Sequence, residues 1–346
     1  MKNNRLVSLV KGEDRSGNIS RALELIRRDL DTITDKKRIL IKPNLLSPDD
    51  ASGNTDVEAV RSIIQFLAKN FDNFDEKEVV IFEGSAGAFY EGGNTRKVFE
   101  RFGYTELERE FNNVKLECIE DFSEYVPMEI VTLGGAVTID VVRHVVEDFD
   151  YRISVNLPKT HGYAIATFGI KNMVGAVKQC DKSMIHGVKT TGSNGSGSRT
   201  IFDYAPTWAI SFLRRRAMGL VDVVIRYVPS YRKGVKLIHR NIATMARLVW
   251  PDLVVLDGLY GMEGNGPVDG NLVRMNMAIA STDPVKADAL GARLMGIDPE
   301  DIGYLHYLHE DGMGDMSLDG LVGERPEELT THLKMHPTYD VQVQWR

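Results

Sequence analysis

Residues Arg38–Leu45 read Arg-Ile-Leu-Ile-Lys-Pro-Asn-Leu, an unbroken aliphatic run followed by a lysine and a proline. An apolar run without polar alternation fits a strand covered on both faces, as in a parallel sheet flanked by helices. Proline cannot donate to a ladder, so the strand stops at Pro43-Asn44. Working outward, Thr55-Asp-Val-Glu58 has the form of a capping box. It opens a helix whose apolar positions are Val57, Val60, Ile64, Leu67 and Ala68. Val79–Glu83 (VVIFE) predicts a second buried strand, ended by Gly84-Ser85-Ala86-Gly87, and a helix follows over about 95–102. Upstream, the apolar run Val7–Val10 precedes a helical pattern of Ile19, Leu23, Ile26 and Leu30. Strand and helix alternate, which predicts an α/β fold of parallel, Rossmann-like sheets with flanking helices.

Further strands are predicted at Tyr151–Leu157, Asp252–Asp257 and Met275–Ala280, and Asp283-Pro284 caps a helix reaching about Met295. Residues 187–200 (GVKTTGSNGSGSRT) have no apolar period and suit a lid or a connector. The expected organisation is two lobes around a crevice. Residues 1–150 form an N-terminal lobe, and 151–201 with 251–311 form a second one. Residues 202–250 are a basic helical insert and 312–346 a C-terminal extension.

The 346 residues carry a net charge of −7 and only two cysteines, Cys118 and Cys180. Two thiols cannot build a four-cysteine iron–sulfur or zinc site, so no iron–sulfur cluster is expected in this chain. Neither a signal-peptide core nor a membrane-length apolar run occurs, and the expectation is a soluble cytoplasmic protein without a transmembrane segment. Charge is uneven, however. Between Arg214 and Arg247 nine basic residues face one acid, Asp222. Such a segment suits self-packing, an acidic protein partner or an anionic membrane surface. No nucleic-acid motif accompanies it, so nucleic acid is not an expected partner.

In parallel sheets ligands bind beyond the carboxyl ends of the strands. The residues at those positions are Lys42 and Asn44, Ser85 and Gly87, and Lys159 and His161, with Lys171, Asn172 and His186 soon after. Lysines converging on a dry crevice should lose basicity and suit a small anionic substrate, carboxylate or phosphate. Lys42, Asn44, Ser85, Gly87, Lys159 and Asn172 are the candidate substrate-binding residues. His161 and Lys171 are the catalytic candidates. Asp257, Glu263 and Asp269 lie on glycine turns that could gather round a divalent cation, although a structural loop suits their spacing better. His306 and His309 read as helix surface, and His332 with His336 as a weak metal pair.

Ile41-Lys-Pro-Asn-Leu45, Val79–Gly87, Asn156-Leu-Pro-Lys-Thr-His161, Gly169-Ile-Lys-Asn-Met-Val-Gly175, Asp257-Gly with Gly266-Pro267, and Ser281-Thr-Asp-Pro284 occur in the order found in the family catalogued as domain of unknown function 362, which the chain resembles. More distantly, the spacing of His161, Lys171 and His186 resembles the central segment of nickel-pincer lactate racemases. That likeness implies a proton-transfer role for His161, attachment of the pincer cofactor at Lys171 and nickel ligation by His186. Racemisation needs a base on each face of the reacting carbon. The first histidine of this chain is His144, so no second base stands near Ser85–Gly87, which argues against a two-base racemase. Two functional expectations follow. One is an enzyme of isomerase or redox type, its cofactor open between none, a divalent metal and a nickel pincer. The other is a non-catalytic scaffold or electron-transfer partner docking through 214–247.

Overall fold

The computed structural model describes residues 5–188 and 226–346. The lid-or-connector segment 187–200 lies almost wholly outside the described residues. So do Arg214, Arg215, Arg216 and Asp222 of the basic insert.

The strands are β1 (Val7–Lys11), β2 (Arg38–Lys42), β3 (Glu78–Glu83), β4 (Val114–Cys118), β5 (Tyr125–Thr132) and β6 (Gly135–Val142). Then come β7 (Tyr151–Asn156), β8 (Lys159–His161), β9 (Ile165–Thr167), β10 (Leu253–Glu263), β11 (Asn271–Ser281) and β12 (Leu321–Gly323). The main sheet has the order β12-β1-β11-β10-β7-β2-β3-β4, with the short β8–β9 hairpin attached to β10, while β5 and β6 pair separately. β10, β7, β2, β3 and β4 are mutually parallel, as expected. β11 runs the other way, because the connection over 264–270 folds it back on β10. One continuous sheet therefore draws strands from both sides of residue 150, where the sequence suggested a boundary between lobes.

The helices are α1 (Arg15–Leu25), α2 (Val57–Asn70), α3 (Ala86–Tyr90), α4 (Thr95–Arg101), α5 (Thr105–Glu110) and α6 (Arg143–Glu147). They continue with α7 (Gly169–Asn172), α8 (Pro229–Ala246), α9 (Pro284–Leu294), α10 (Gly303–Glu310) and α11 (Tyr339–Gln342). Strand alternation divides the core. Ile39, Ile41, Val79, Ile81, Ile153 and Val155 pack with α1, α2 and α4 on one face. Leu40, Val80, Phe82, Val254 and Leu256 pack with α7, α8, α9 and α10 on the other.

α2 corrects one detail of the sequence reading. Its N-cap is Asp56, whose carboxylate accepts the Glu58 N–H at 2.9 Å. The Thr55 hydroxyl is buried elsewhere, donating to Val155 O and accepting the Asn44 N–H. The turn after β2 is thereby tied to β7 rather than to the helix that follows. Asp283 and Pro284 cap and begin α9 as predicted.

In chain order β2 leads outward to β3 and β4, while its other neighbour, β7, leads to β10. The winding reverses between β2 and β7, and at such a point a crevice opens beyond the carboxyl ends of the strands.

Candidate functional site

At that reversal β2 ends in Lys42 and β7 leads into β8 with Lys159 and His161. The connecting turns are bolted together by amides. Asn172 donates from Nδ2 to Lys42 O at 2.9 Å and to Ser154 Oγ at 3.0 Å, and accepts Asn44 Nδ2–H at 2.9 Å. α7 is held from below by Asp288, whose carboxylate accepts the N–H groups of Gly169 and Ile170. Burial raises that carboxylic acid to about 8. Lys171, projecting from this short helix, is fixed by its neighbours rather than by its own side chain.

Four lysines meet here. Lys42 is fully buried; its Nζ donates to Glu83 Oε2 at 2.6 Å and to Pro43 O at 2.8 Å. Lys159 Nζ donates to Asn44 Oδ1 and, at 2.6 Å, to Gly53 O. Lys182 Nζ donates to Gly84 O at 2.6 Å. Lys171 is half-buried, and its ammonium has no hydrogen bond or ion pair among the described residues. Burial lowers all four, Lys159 and Lys182 to about 7 and Lys171 to about 8. Lys159 is lowered further by Lys171 and Lys42, with Glu83 opposing. Glu83 is the carboxylate shared by Lys42, Lys159 and Lys182, and its oxygens also accept the N–H groups of Gly84 and Leu45. Cationic charge exceeds anionic charge, in a region with little water to screen it.

The histidines stand beside the lysines. His161 and His186 stack with ring centroids 5.8 Å apart and planes at 11°. His161 Nδ1 accepts the main-chain N–H groups of Tyr163 (3.0 Å) and Ala164 (3.2 Å). An amide can only donate, so the ring proton sits on Nε2. Burial, then Lys171, His186, His336 and Lys159, hold the ring far below the usual imidazole range, so His161 is neutral. His186 has the opposite tautomer. Its Nδ1 faces Ser183 O at 3.4 Å; a carbonyl only accepts, so the proton is on Nδ1 and the lone pair on Nε2.

The structure thus brings Lys42, Asn44, Lys159, His161, Lys171, Asn172 and His186 together. The turn after β3 is different. Ser85 Oγ accepts the Ala88 N–H as the cap of α3, and the Gly87 N–H goes to Leu46 O. A Cβ at Gly87 would lie 2.5 Å from that same carbonyl oxygen, so this glycine serves close backbone packing. Asp257 is paired with Arg15 at 2.7 Å, Glu263 accepts the Lys334 N–H, and Asp269 is exposed. They form no carboxylate cluster.

Three participants were not singled out as site residues from the sequence: Glu83, Lys182 and His336. Glu83 had a readable signal, since a carboxylate ending a buried strand needs a cation. Lys182 lies in a segment without a helical or strand period and had none, and His336 was read only as half of a weak metal pair with His332.

The described part of the basic segment is mostly α8. Tyr231, Val235, Ile238, Ile242 and Met245 pack into the core, while Arg232, Lys233, Lys236 and Arg240 are exposed. Arg226 pairs with Asp340 and Arg247 with Asp311, so part of the basic charge is met by the chain's own acidic residues. No helix among the described residues is long and apolar enough to cross a membrane.

The model of the family Domain of unknown function (DUF362) matches residues 39–293, which include every lysine of the cluster. The chain belongs to that family. A curated relative of this DUF362 chain, the thylakoid-associated protein sll1697 of Synechocystis sp., is 25% identical over 275 residues, 77% of this chain and 65% of that protein. Among solved structures, the lactate racemase apoprotein from Thermoanaerobacterium thermosaccharolyticum aligns with a TM-score of 0.47 at 14% identity, over 84% of this chain and 56% of that one. A Thermotoga maritima protein aligns with a TM-score of 0.42 at 14% identity, over 82% and 60%. The chain therefore spans less than two-thirds of the length of each of these relatives.

Proposed function

We propose that this chain is an enzyme that binds a small carboxylate or phosphate at Lys159 and Lys171 and moves a proton on it, in chemistry of isomerase or redox type. The observation that carries this reading is the unpaired Lys171 ammonium, held by a short helix amid other buried cations. An unneutralised charge costs stability in such a place, and an anionic ligand removes that cost. Lys42 has a different part. Its charge is met by Glu83, so it supports the turn rather than the substrate.

The tautomers divide the histidine roles. His161 presents Nε2–H and acts as a neutral donor that polarises a substrate oxygen, the kind of role a depressed imidazole suits. His186 carries its lone pair on Nε2 and is the base. Among the described residues no three His, Cys, Asp or Glu side chains are grouped to hold a metal ion. A nickel pincer brings its own donors, so it needs only a lysine for attachment and one imidazole. Lys171 and His186 are of the right type. Bound there, such a group would supply a hydride acceptor, and the Nε2 lone pair of His186 would be its ligand instead of the base.

The test is calorimetric titration of the protein with inorganic phosphate and with acetate, for wild type and Lys171→Met. Binding by wild type that falls at least about tenfold in the variant supports the reading, since a charge-assisted contact in a dry site is worth ~1.5–3 kcal/mol. No binding of either probe, or equal binding by both proteins, overturns it. Intact-mass and nickel analysis of the natively purified protein separates a cofactor-bearing enzyme from a cofactor-free one.

A second reading is a scaffold or electron-transfer protein that docks on an acidic partner or anionic membrane through the exposed cations of α8. The printed name of the Synechocystis relative, which associates that protein with thylakoids, favours the membrane form. Vesicle binding that weakens steeply with salt would support it, and salt-insensitive binding would count against it.

A further inference from the structure

His336 lies outside the stretch matched by the family model, in the chain after β12. Its segment is fastened onto the β8–β9 hairpin. Tyr231 Oη donates to Gly162 O and contacts Thr338 Oγ1 at 2.6 Å, and the Ile165 N–H goes to Gln342 Oε1 at 2.6 Å. Gln342 Nε2–H in turn reaches Thr338 Oγ1 at 2.8 Å. These contacts set His336 directly over the residue after His161. A Cβ at Gly162 would meet His336 Nε2 at 3.2 Å.

The state of the His336 ring can be read as it was for His161. His336 Nδ1 accepts the Thr338 main-chain N–H at 3.3 Å and meets Thr338 Oγ1 at 2.8 Å. Its lone pair is therefore on Nδ1 and its proton on Nε2. Burial lowers the ring to about 4, so it is neutral. Neither His161 Nε2 nor His336 Nε2 has a hydrogen-bond partner among the described residues. Two nearly buried imidazoles with backbone-fixed tautomers thus offer N–H donors beside a surplus of lysine charge. Neither N–H is sealed inside the protein, so each is open to an oxygen lone pair from a bound anion.

We propose that His161 and His336 form a paired N–H donor site for an oxygen of the anion held at Lys159 and Lys171, with His336 supplied by the C-terminal segment. This deepens the anion-binding reading and rests on it. Both donors are neutral, so the pair favours an oxygen whose charge grows during reaction and adds no further cation to repel Lys171.

The experiment uses the full chain with ¹⁵N-labelled histidine at neutral pH. Imidazole ¹⁵N shifts are recorded before and after inorganic phosphate or acetate, with calorimetry on His336→Phe, His336→Gln and Lys171→Met. The expected result is Nε2–H tautomers for His161 and His336, with both Nε2 signals moving on addition of a probe. His336→Phe should weaken that probe roughly fivefold, the weight of one hydrogen bond, and His336→Gln should restore part of the loss through its amide N–H. A proton on His336 Nδ1, or ligand shifts at His161 alone, overturns the paired site. So does wild-type affinity in His336→Phe while Lys171→Met loses binding, and that pattern leaves the anion-binding reading standing. Wild-type protein that binds neither probe removes the reading itself, and the paired site with it.

Discussion

Lys42 and Lys171 are two lysines of one cluster, with opposite arrangements. Lys42 is locked at the end of a central strand, its charge met at 2.6 Å by Glu83 and a second contact supplied by a carbonyl. Lys171 sits on a short helix that Asp288 and Asn172 hold by the backbone and by neighbouring turns, and its own ammonium has no partner among the described residues. The difference shows how a buried charge serves two ends. Paired, it specifies where two strand ends lie; unpaired, it would, in the function proposed above, keep stabilisation in reserve for an arriving anion.

The sharpest way to break this contrast is Glu83→Gln. Lys42 and Lys182 would then keep their burial without a shared counter-charge, and removing one partner of a buried pair costs about 3–5 kcal/mol. Urea unfolding should show a loss of that order, whereas Lys171→Met should stay within about 1 kcal/mol of wild type, because no pair is broken. If the two variants were equally destabilised, the distinction between paired and reserve charges would be wrong.

Gly175→Ala probes the paired region without altering charge. The new methyl would stand 2.5 Å from Lys42 Cε, 2.6 Å from Nζ and 3.3 Å from Glu83 Oε1. Because Glu83 anchors that lysine tip, it cannot swing aside easily, and the expected cost is about 1–3 kcal/mol in the same measurement.

Proton linkage sharpens the contrast in another way. Lys159 and Lys182 near 7 and Lys171 near 8 are below their unfolded values, so over this range the unfolded chain holds more protons than the native one. Native stability without ligand should therefore rise as pH increases from about 7 toward 10, through these groups. Phosphate affinity should fall across about pH 7–8, as the ammonium groups discharge. Stability and affinity that rose together would mean the lysines do not hold the anion.

The smallest effect belongs to the surface. Arg247→Ala removes a half-exposed partner of Asp311 and should cost no more than about 1 kcal/mol, less in high salt. A larger loss in thermal unfolding would make the basic segment part of the core architecture.

The strand ends were legible because a parallel sheet advertises itself in short apolar runs, and Lys42, Lys159 and His161 follow those runs directly. Lys171 and Asn172 stood out by interrupting an apolar stretch. The same logic picked out Ser85 and Gly87, whose polar groups are engaged in a helix cap and a backbone contact. A glycine–serine turn after a strand looks alike whether its N–H groups are open or used to cap a helix, and only tertiary contacts decide which. The reversal of β11 was hidden for a related reason, since a buried run has no direction. His336 was invisible as a neighbour of His161 because the contact joins residues far apart in sequence through Tyr231, Thr338 and Gln342, none of which follows a period.

The place of β1 in the sheet also bears on how the chain reaches its native form. Its neighbours are β11 and β12, and the Ser8–Ala280 hydrogen bonds join residues 272 apart. β1 thus has no edge to join until β11, about 270 residues later, has been made. Closing so long a loop makes pairing slow, and meanwhile Val7, Leu9 and Val10 are an apolar edge open to the wrong partner. Chaperone dependence should accordingly concentrate on β1, far in sequence from the lysine cluster.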